Sequence, residues 1–184
     1  EVFTDYSQGA LRETAGKYDL ALSGEGFFAV RYVDKNGNES TKYTRDGNFR
    51  LTKDGHVTDV YGNQLRTESG VLQVPLDSED ISIGVDGTVS VNNQVIDKLK
   101  VVDFENYDYI EKFGDNLYQT VAGATEKESE AQVLQGYIEQ SNVNSVREMV
   151  NLITITRAYE AGQKMIQSSD SIMDSAVNSV GRVS

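Results

Sequence analysis

His56 is the only histidine, and the chain has no cysteine. Those two facts decide much of what its side chains could do. Without thiols there is no disulfide, no zinc–thiolate site and no cysteine nucleophile. His56 follows Gly55 in a turn-like stretch and is expected to be exposed. A Ser/His/Asp arrangement built on it would need an activated serine, and no Gly-x-Ser-x-Gly elbow is present. Gly24-Glu25-Gly26 is a lone Gly-x-Gly. A dinucleotide site needs a helix to follow, so that its N-terminus faces the pyrophosphate. Here the strand-like Phe27-Phe28-Ala29-Val30-Arg31-Tyr32-Val33 follows, so the glycines read as a tight turn or bulge. Asp34-Lys35-Asn36-Gly37-Asn38-Glu39 carries calcium-loop residue types, but the EF-hand order puts Gly sixth and Glu twelfth. Gly37 stands fourth and position twelve is Arg45, which leaves a hairpin turn. Carboxylates are abundant, yet no spacing pairs two of them in a pocket. No catalytic residue, cofactor or metal is expected.

The bulk properties narrow the partners. The formal net charge is −12 over 184 residues, which opposes a nucleic-acid partner. Residues 145–184 carry four basic and four acidic side chains, so the whole acid excess lies before Ser145. An acidic head stays solvated and repels its own kind; a neutral tail can pack against copies of itself. No run of about 18 apolar residues exists, so no membrane span is expected.

Residues 1–16 show no sustained period and read as an extended arm or linker. From Lys17 to about Thr120 the texture is that of short strands, apolar or alternating, such as Leu20–Val33, Lys42–Thr52 and Leu99–Phe104. Turn signals separate them at Asp34–Gly37, Asp46-Gly47, Asp54-Gly55, Tyr61–Asn63, Asp86-Gly87 and Asn92-Asn93; these residue types tolerate the positive φ of hairpin turns. No helical stretch separates the strands, so the sheet is antiparallel, a sandwich or small barrel. Phe27, Phe28, Tyr32, Tyr43, Phe49 and Tyr61 fall on these strands. They read as core and cross-strand pairs, with a sugar-binding face as the functional alternative. Residues 107–119 read as a turn or short helix before an aromatic docking strand, and 121–140 as a connecting loop.

The last segment, 141–184, differs in kind. Ser141, Asn142 and Asn144 are good N-cap types, and Ser145 precedes Glu148 by three residues, a capping-box pattern. From there to about Val180 there is no proline, and Gly162 is the one interior glycine. At 1.5 Å per residue such a helix would be about 54 Å long. Leu152, Tyr159, Ile166, Met173 and Val180 repeat every seven residues, a coiled-coil-like period. The companion positions include Thr156, Gln163 and Asp170, so this is not a clean two-stranded zipper. Apolar residues also spill sideways to Ile153, Ile155, Ala158, Met165, Ile172 and Ala176. A helix apolar over so wide an arc needs more than one neighbour. The expected class is therefore mainly β with α: an antiparallel β-sandwich or barrel-like domain plus one long C-terminal helix of the coiled-coil type.

Three motifs in order, Asp19–Val30 (DLALSGEGFFAV), Tyr43–Leu65 (YTRDGNFRLTKDGHVTDVYGNQL) and Gln135–Asp170, carry a resemblance to the bacterial flagellar rod and hook family, with its basal-body rod proteins the nearest members. The motifs do not separate distal from proximal rod proteins. The resemblance implies subunits of a helical tube, exported through the flagellar channel, whose terminal helices form an inner tube beneath a β-rich outer domain. On it, Ser141, Asn142, Val143 and Asn144 would lead into the assembly helix. Met149, Val150, Leu152, Ile153, Tyr159, Ile166 and Met173 would be its packing face. Implied partners are further copies of the chain, other rod and hook subunits and basal-body ring components, with no nucleic acid and no membrane insertion. The family pattern opens with a helical segment and an Asn-rich motif before the arm. This chain begins after that point, so the helix partner is expected to lie outside it. The rival expectation is a secreted carbohydrate- or protein-binding β-module on a helical oligomerisation stalk, with an aromatic platform exposed on one sheet face.

Overall fold

A computed structural model of the chain describes residues 6–78, 80–143 and 145–180; within the helix, side chains are described for residues 147–170, 172 and 173. The chain divides into two compact units, 1–142 and 143–184. The first is all short strands: β1 (Leu11–Glu13), β2 (Leu20–Ser23), β3 (Phe27–Val33), β4 (Glu39–Thr44), β5 (Arg50–Leu51) and β6 (Val57–Thr58). There follow β7 (Gln64–Leu65), β8 (Ile81–Ile83), β9 (Thr88–Val91), β10 (Gln94–Lys98) and β11 (Val101–Phe104). The unit ends with β12 (Ile110–Phe113), β13 (Leu117–Thr120), β14 (Glu126–Glu128), β15 (Gln132–Gln135) and β16 (Tyr137–Glu139). The second unit holds α1 (Ser145–Val180).

All pairings are antiparallel, and the sheets do not close into a barrel. The largest sheet runs β12-β13-β4-β3-β7-β6-β5, with β11 joining β3 and β14 joining β11. The β8–β10 meander and the β15-β2 and β1-β16 pairs complete the unit. The pivot is β3. Its first half pairs with β11 (Val101↔Phe28) and its second with β7 (Val30↔Leu65), while β4 lines its other edge.

Side chains alternate across a strand, and both faces of the first half of β3 are covered, which is why Phe27–Val30 is an apolar run without alternation. Phe28 and Val30 enter one core with Leu20, Leu22, Phe49, Leu65, Leu72 and Val89. Phe27 and Ala29 enter a second with Tyr43, Val102, Phe104 and Ile110. The aromatic set is thus interior: Phe27, Phe28, Tyr43 and Phe49 are buried, Tyr32 is half-buried, and Tyr61 alone of the six is exposed. That removes the platform on which the sugar-binding alternative depended.

Four segments differ from their sequence expectation. Residues 6–13 lie against the β unit. Tyr6 packs its ring on Phe27, Tyr107 and Tyr118 at centroid distances of 6.2, 5.0 and 5.7 Å, and β1 pairs with β16. Residues 107–120 form a single turn of 3-10 helix and then a hairpin about Gly114, not one docking strand. Residues 121–140, expected as a loop, hold three strands. In β14 no side chain is buried, so hydrophobic periodicity could not reveal it. Ion pairs hold it instead: Lys127 reaches buried Asp103 at 2.9 Å, and Glu126 accepts from Tyr43 and faces Lys100 at 3.7 Å. His56, finally, is half-buried, because its backbone bridges to Gln73; its Nδ1 has no hydrogen-bond partner among the described residues, so no carboxylate orients the ring through that atom.

Two turns share one five-residue sequence, Asp-x-x-Gly-Asn, and one hydrogen-bond set. In Asp59–Asn63, Asp59 Oδ1 accepts from the N–H groups of Tyr61 and Asn63 (both 2.9 Å), and Oδ2 accepts from the Asn63 amide at 2.7 Å. In Asp34–Asn38 the same atoms of Asp34 accept from Asn36, Asn38 and the Asn38 amide. Gly37 and Gly62 take φ of 84° and 91°, which other residues adopt only with strain. The calcium-like loop at Asp34 is therefore a β3–β4 hairpin turn. In the second turn Asp59 and Asn63 are themselves buried, so Asp59→Ala strands two buried donors of Asn63. At about 1–3 kcal/mol for each unsatisfied group, a loss of about 2–6 kcal/mol is expected in urea unfolding. Asp34→Ala, where water replaces the carboxylate, should shift the midpoint less; equal shifts would contradict this.

Asp103 yields a second prediction. Burial would raise its pKa, but Lys127, the Tyr107 hydroxyl and the Phe104 N–H outweigh burial and hold it below the usual carboxylate value. A carboxylate with a depressed folded pKa contributes stability above its unfolded value, about 3.9, and loses it as pH falls through the folded one. Wild-type unfolding free energy should therefore drop as pH is lowered from about 4, and Asp103→Asn should show a shallower slope over that window. Identical slopes in stepped-pH urea titrations would contradict the assignment.

Candidate functional site

The sequence singles out the tail, and the helix there runs through the whole proline-free stretch expected of it: Ser145–Val180, 36 residues. Glu148 stands in its first turn, where a carboxylate favours the positive end of the helix dipole. Asn144 lies outside the described residues. Ser141, Asn142 and Val143 are exposed, and the Asn142 amide donates to the backbone oxygen and hydroxyl of Ser7, both at 3.1 Å.

Met149, Val150, Leu152, Ile153, Tyr159, Ile166 and Met173 are all exposed, between 52% and 68%. So are Ile155, Met165 and Ile172. The structure places these side chains along one helix and buries none of them. Exposed apolar residues occurring singly need no explanation, whereas ten along one element are more than a solvated helix ordinarily shows. Two threonines on the helix hide their polarity. Thr154 and Thr156 donate to the carbonyls of Val150 and Leu152, both at 2.8 Å. A threonine bonded back to its own helix presents mainly its methyl group. Thr156, which looked like a polar break in the seam, is therefore compatible with an apolar neighbour; Gln163 and Asp170 remain polar.

A second constellation lies where the two ends of the β unit meet, and the sequence did not single it out. Arg45 follows β4. Its Nε donates to Glu139 of β16 at 3.0 Å, and its two terminal nitrogens donate to the carbonyls of Gly26 (3.1 Å) and Gly24 (3.0 Å). The two side chains are only 14% and 9% exposed. The other Glu139 oxygen accepts from the Gly9 N–H at 2.8 Å. Gly24 and Gly26 have φ of 120° and 143°, a region that favours glycine, and the chain bends at Gly24-Glu25, in keeping with the turn-or-bulge reading of Gly24-Glu25-Gly26. Gly9 has no room for a side chain: a Cβ there would stand 1.8 Å from the Gln140 oxygen. The available signal was a glycine within a polar arm, whose partner is a glutamate about 130 residues away.

Among the described residues no group of three or more His, Asp or Glu could hold a metal. The cleft at Arg45, Asp46, Asp115 and Asn116 is open and lined mainly by polar side chains. No described helix is long and apolar enough to cross a membrane.

Comparison with known proteins agrees with this geometry. Residues 134–179, from within β15 into the helix, match the family described as the C-terminal region of flagellar basal body rod FlgEFG protein. Residues 21–91 match the D1 domain of flagellar hook protein FlgE/F/G. The chain is 36% identical over 181 residues to flagellar basal-body rod protein FlgG of Buchnera aphidicola subsp. Schizaphis graminum, covering 91% of this chain and 67% of the relative. It is 35% identical over 185 residues to FlgF of Caulobacter vibrioides, covering 99% and 73%, and 31% identical over 189 residues to FlgG of Bacillus subtilis, covering 95% and 70%. The chain belongs to the flagellar basal-body rod protein family.

Proposed function

We propose that this protein is a structural axial subunit of the flagellar basal-body rod, that it polymerises into a helical tube, and that the tube carries torque from motor to hook. The β unit is then the outer domain and α1 the assembly segment. Its role is mechanical, with no reaction to catalyse. The reading puts it in the basal body, beyond the cytoplasm, after export through the flagellar channel. Its neighbours there are further copies, other rod and hook subunits and, at the rod surface, ring components.

One observation carries this reading: the 36-residue helix that matches the rod C-terminal family exposes its large apolar side chains from Met149 to Met173 among the described residues. Long helices draw most of their stability from packing. Each large side chain buried is worth about 1.5–3 kcal/mol, so contact among several subunits supplies what a lone helix lacks. The charge distribution agrees: the acid excess sits on residues 1–144, and the balanced tail can pack without repulsion.

Leu152→Asp and Ile166→Asp place an unpaired carboxylate within that contact, which is costly once water is excluded. Both should abolish rod assembly and swimming, while the urea midpoint of the β unit stays at its wild-type value. Variants that polymerise and support motility normally would overturn the assignment of this face.

A further inference from the structure

We propose that Arg45 is the positioning residue that fixes the paired chain ends, β1 and β16, to the large sheet. In the rod reading, on which this consequence rests, load arriving from the assembly segment would enter the β unit through the Arg45–Glu139 contact.

The geometry is that of a three-way fork. A planar guanidinium can bond several acceptors in fixed directions at once, which an ammonium cannot. Arg45 spends those directions on two elements. Two donors go to the Gly24–Gly26 turn that launches β3, the strand shared by both cores. The third goes to Glu139, the last residue of β16, whose other oxygen holds the Gly9 N–H of the arm. Arg45 Cζ also lies 5.9 Å from the centre of the Phe27 ring. From β16 the chain runs three residues to Asn142, the end of the first unit. The β1–β16 pair is a two-stranded ribbon, and an isolated ribbon of that size is marginal on its own. The Gln140 N–H donates to Ala10 at 2.8 Å, one residue beyond the ladder, so this amide and that of Gly9 report whether the ribbon is seated. A pair nearly shut off from water is not the weak, exposed kind of ion pair. Removing one partner leaves the other buried without its counter-charge.

Amide hydrogen exchange on the full chain tests this. In Arg45→Met and Glu139→Ala, exchange at Gly9 and Gln140 should accelerate by about tenfold or more, while amides of β3 and β9 stay as protected as in the wild type, the mark of local rather than global opening. Arg45→Lys, which keeps the charge but not the fork, should fall between. The double variant should be no faster than the faster single one, because both remove the same contact. Cells carrying Arg45→Lys should assemble rods yet swim more slowly than wild type as medium viscosity rises. Four results would overturn the proposal: unchanged exchange at Gly9 and Gln140, acceleration everywhere in parallel, additive singles, or local loosening with wild-type swimming under load. The exchange arm does not require a rod. If it succeeds in a chain whose wild type builds no rod, the positioning role stands and the rod reading fails.

Discussion

The β unit is organised around one strand buried on both faces. Phe27 and Ala29 point to one core and Phe28 and Val30 to the other, so β3 can be neither shifted by one residue nor exposed on either side. The centre of the large sheet is placed by its relation to this strand. β4 and β7 fix its register, β11 completes its first half, and the Gly24–Gly26 turn delivers the chain into it. The second core is too small to close itself. It is capped by Tyr6 from the arm, together with Tyr107 and Tyr118, so residues far apart in the chain become parts of one unit.

What apolar burial does for the centre, charge does at the margins. β14 is held through Asp103–Lys127 and Glu126, and the end of β16 through Arg45–Glu139. These contacts are not strong because they are ionic; a hydrophobic replacement of similar shape often does as well. Their value is directional. A guanidinium bonded to two carbonyls and a carboxylate admits one placement of the strand end, whereas apolar contact alone would admit several. A subunit that must transmit force needs defined seating at the point where the chain leaves its folded domain.

How much of this could be read from sequence follows from what each element depends on. The strand and turn texture, the antiparallel class and the helix limits rest on local patterns: alternation, Asp/Asn-Gly turns and the absence of proline. These were legible. β14, β16 and the docked arm depend on partners about 25 to 130 residues away and expose or half-bury polar side chains, so no local period marks them. Thr156 shows the same limit on a smaller scale. Its residue type suggested a polar break, and only the helix itself shows that the hydroxyl is turned back onto Leu152. The half-buried His56 is the reverse case, a turn residue covered by a strand bridge that its neighbours in sequence do not announce.

The central claim is that the apolar face of α1 exists for contact between subunits. The chain has no cysteine, so a single introduced thiol is a unique probe. Leu152→Cys, Tyr159→Cys, Ile166→Cys and Met173→Cys, each labelled with a maleimide in dilute protein and again in assembled rods, test it most directly. The account predicts rapid labelling at all four positions in the dilute protein and protection at all four in the rod. Labelling at equal rates in both states would contradict it and would move the search for the assembly surface to the β unit.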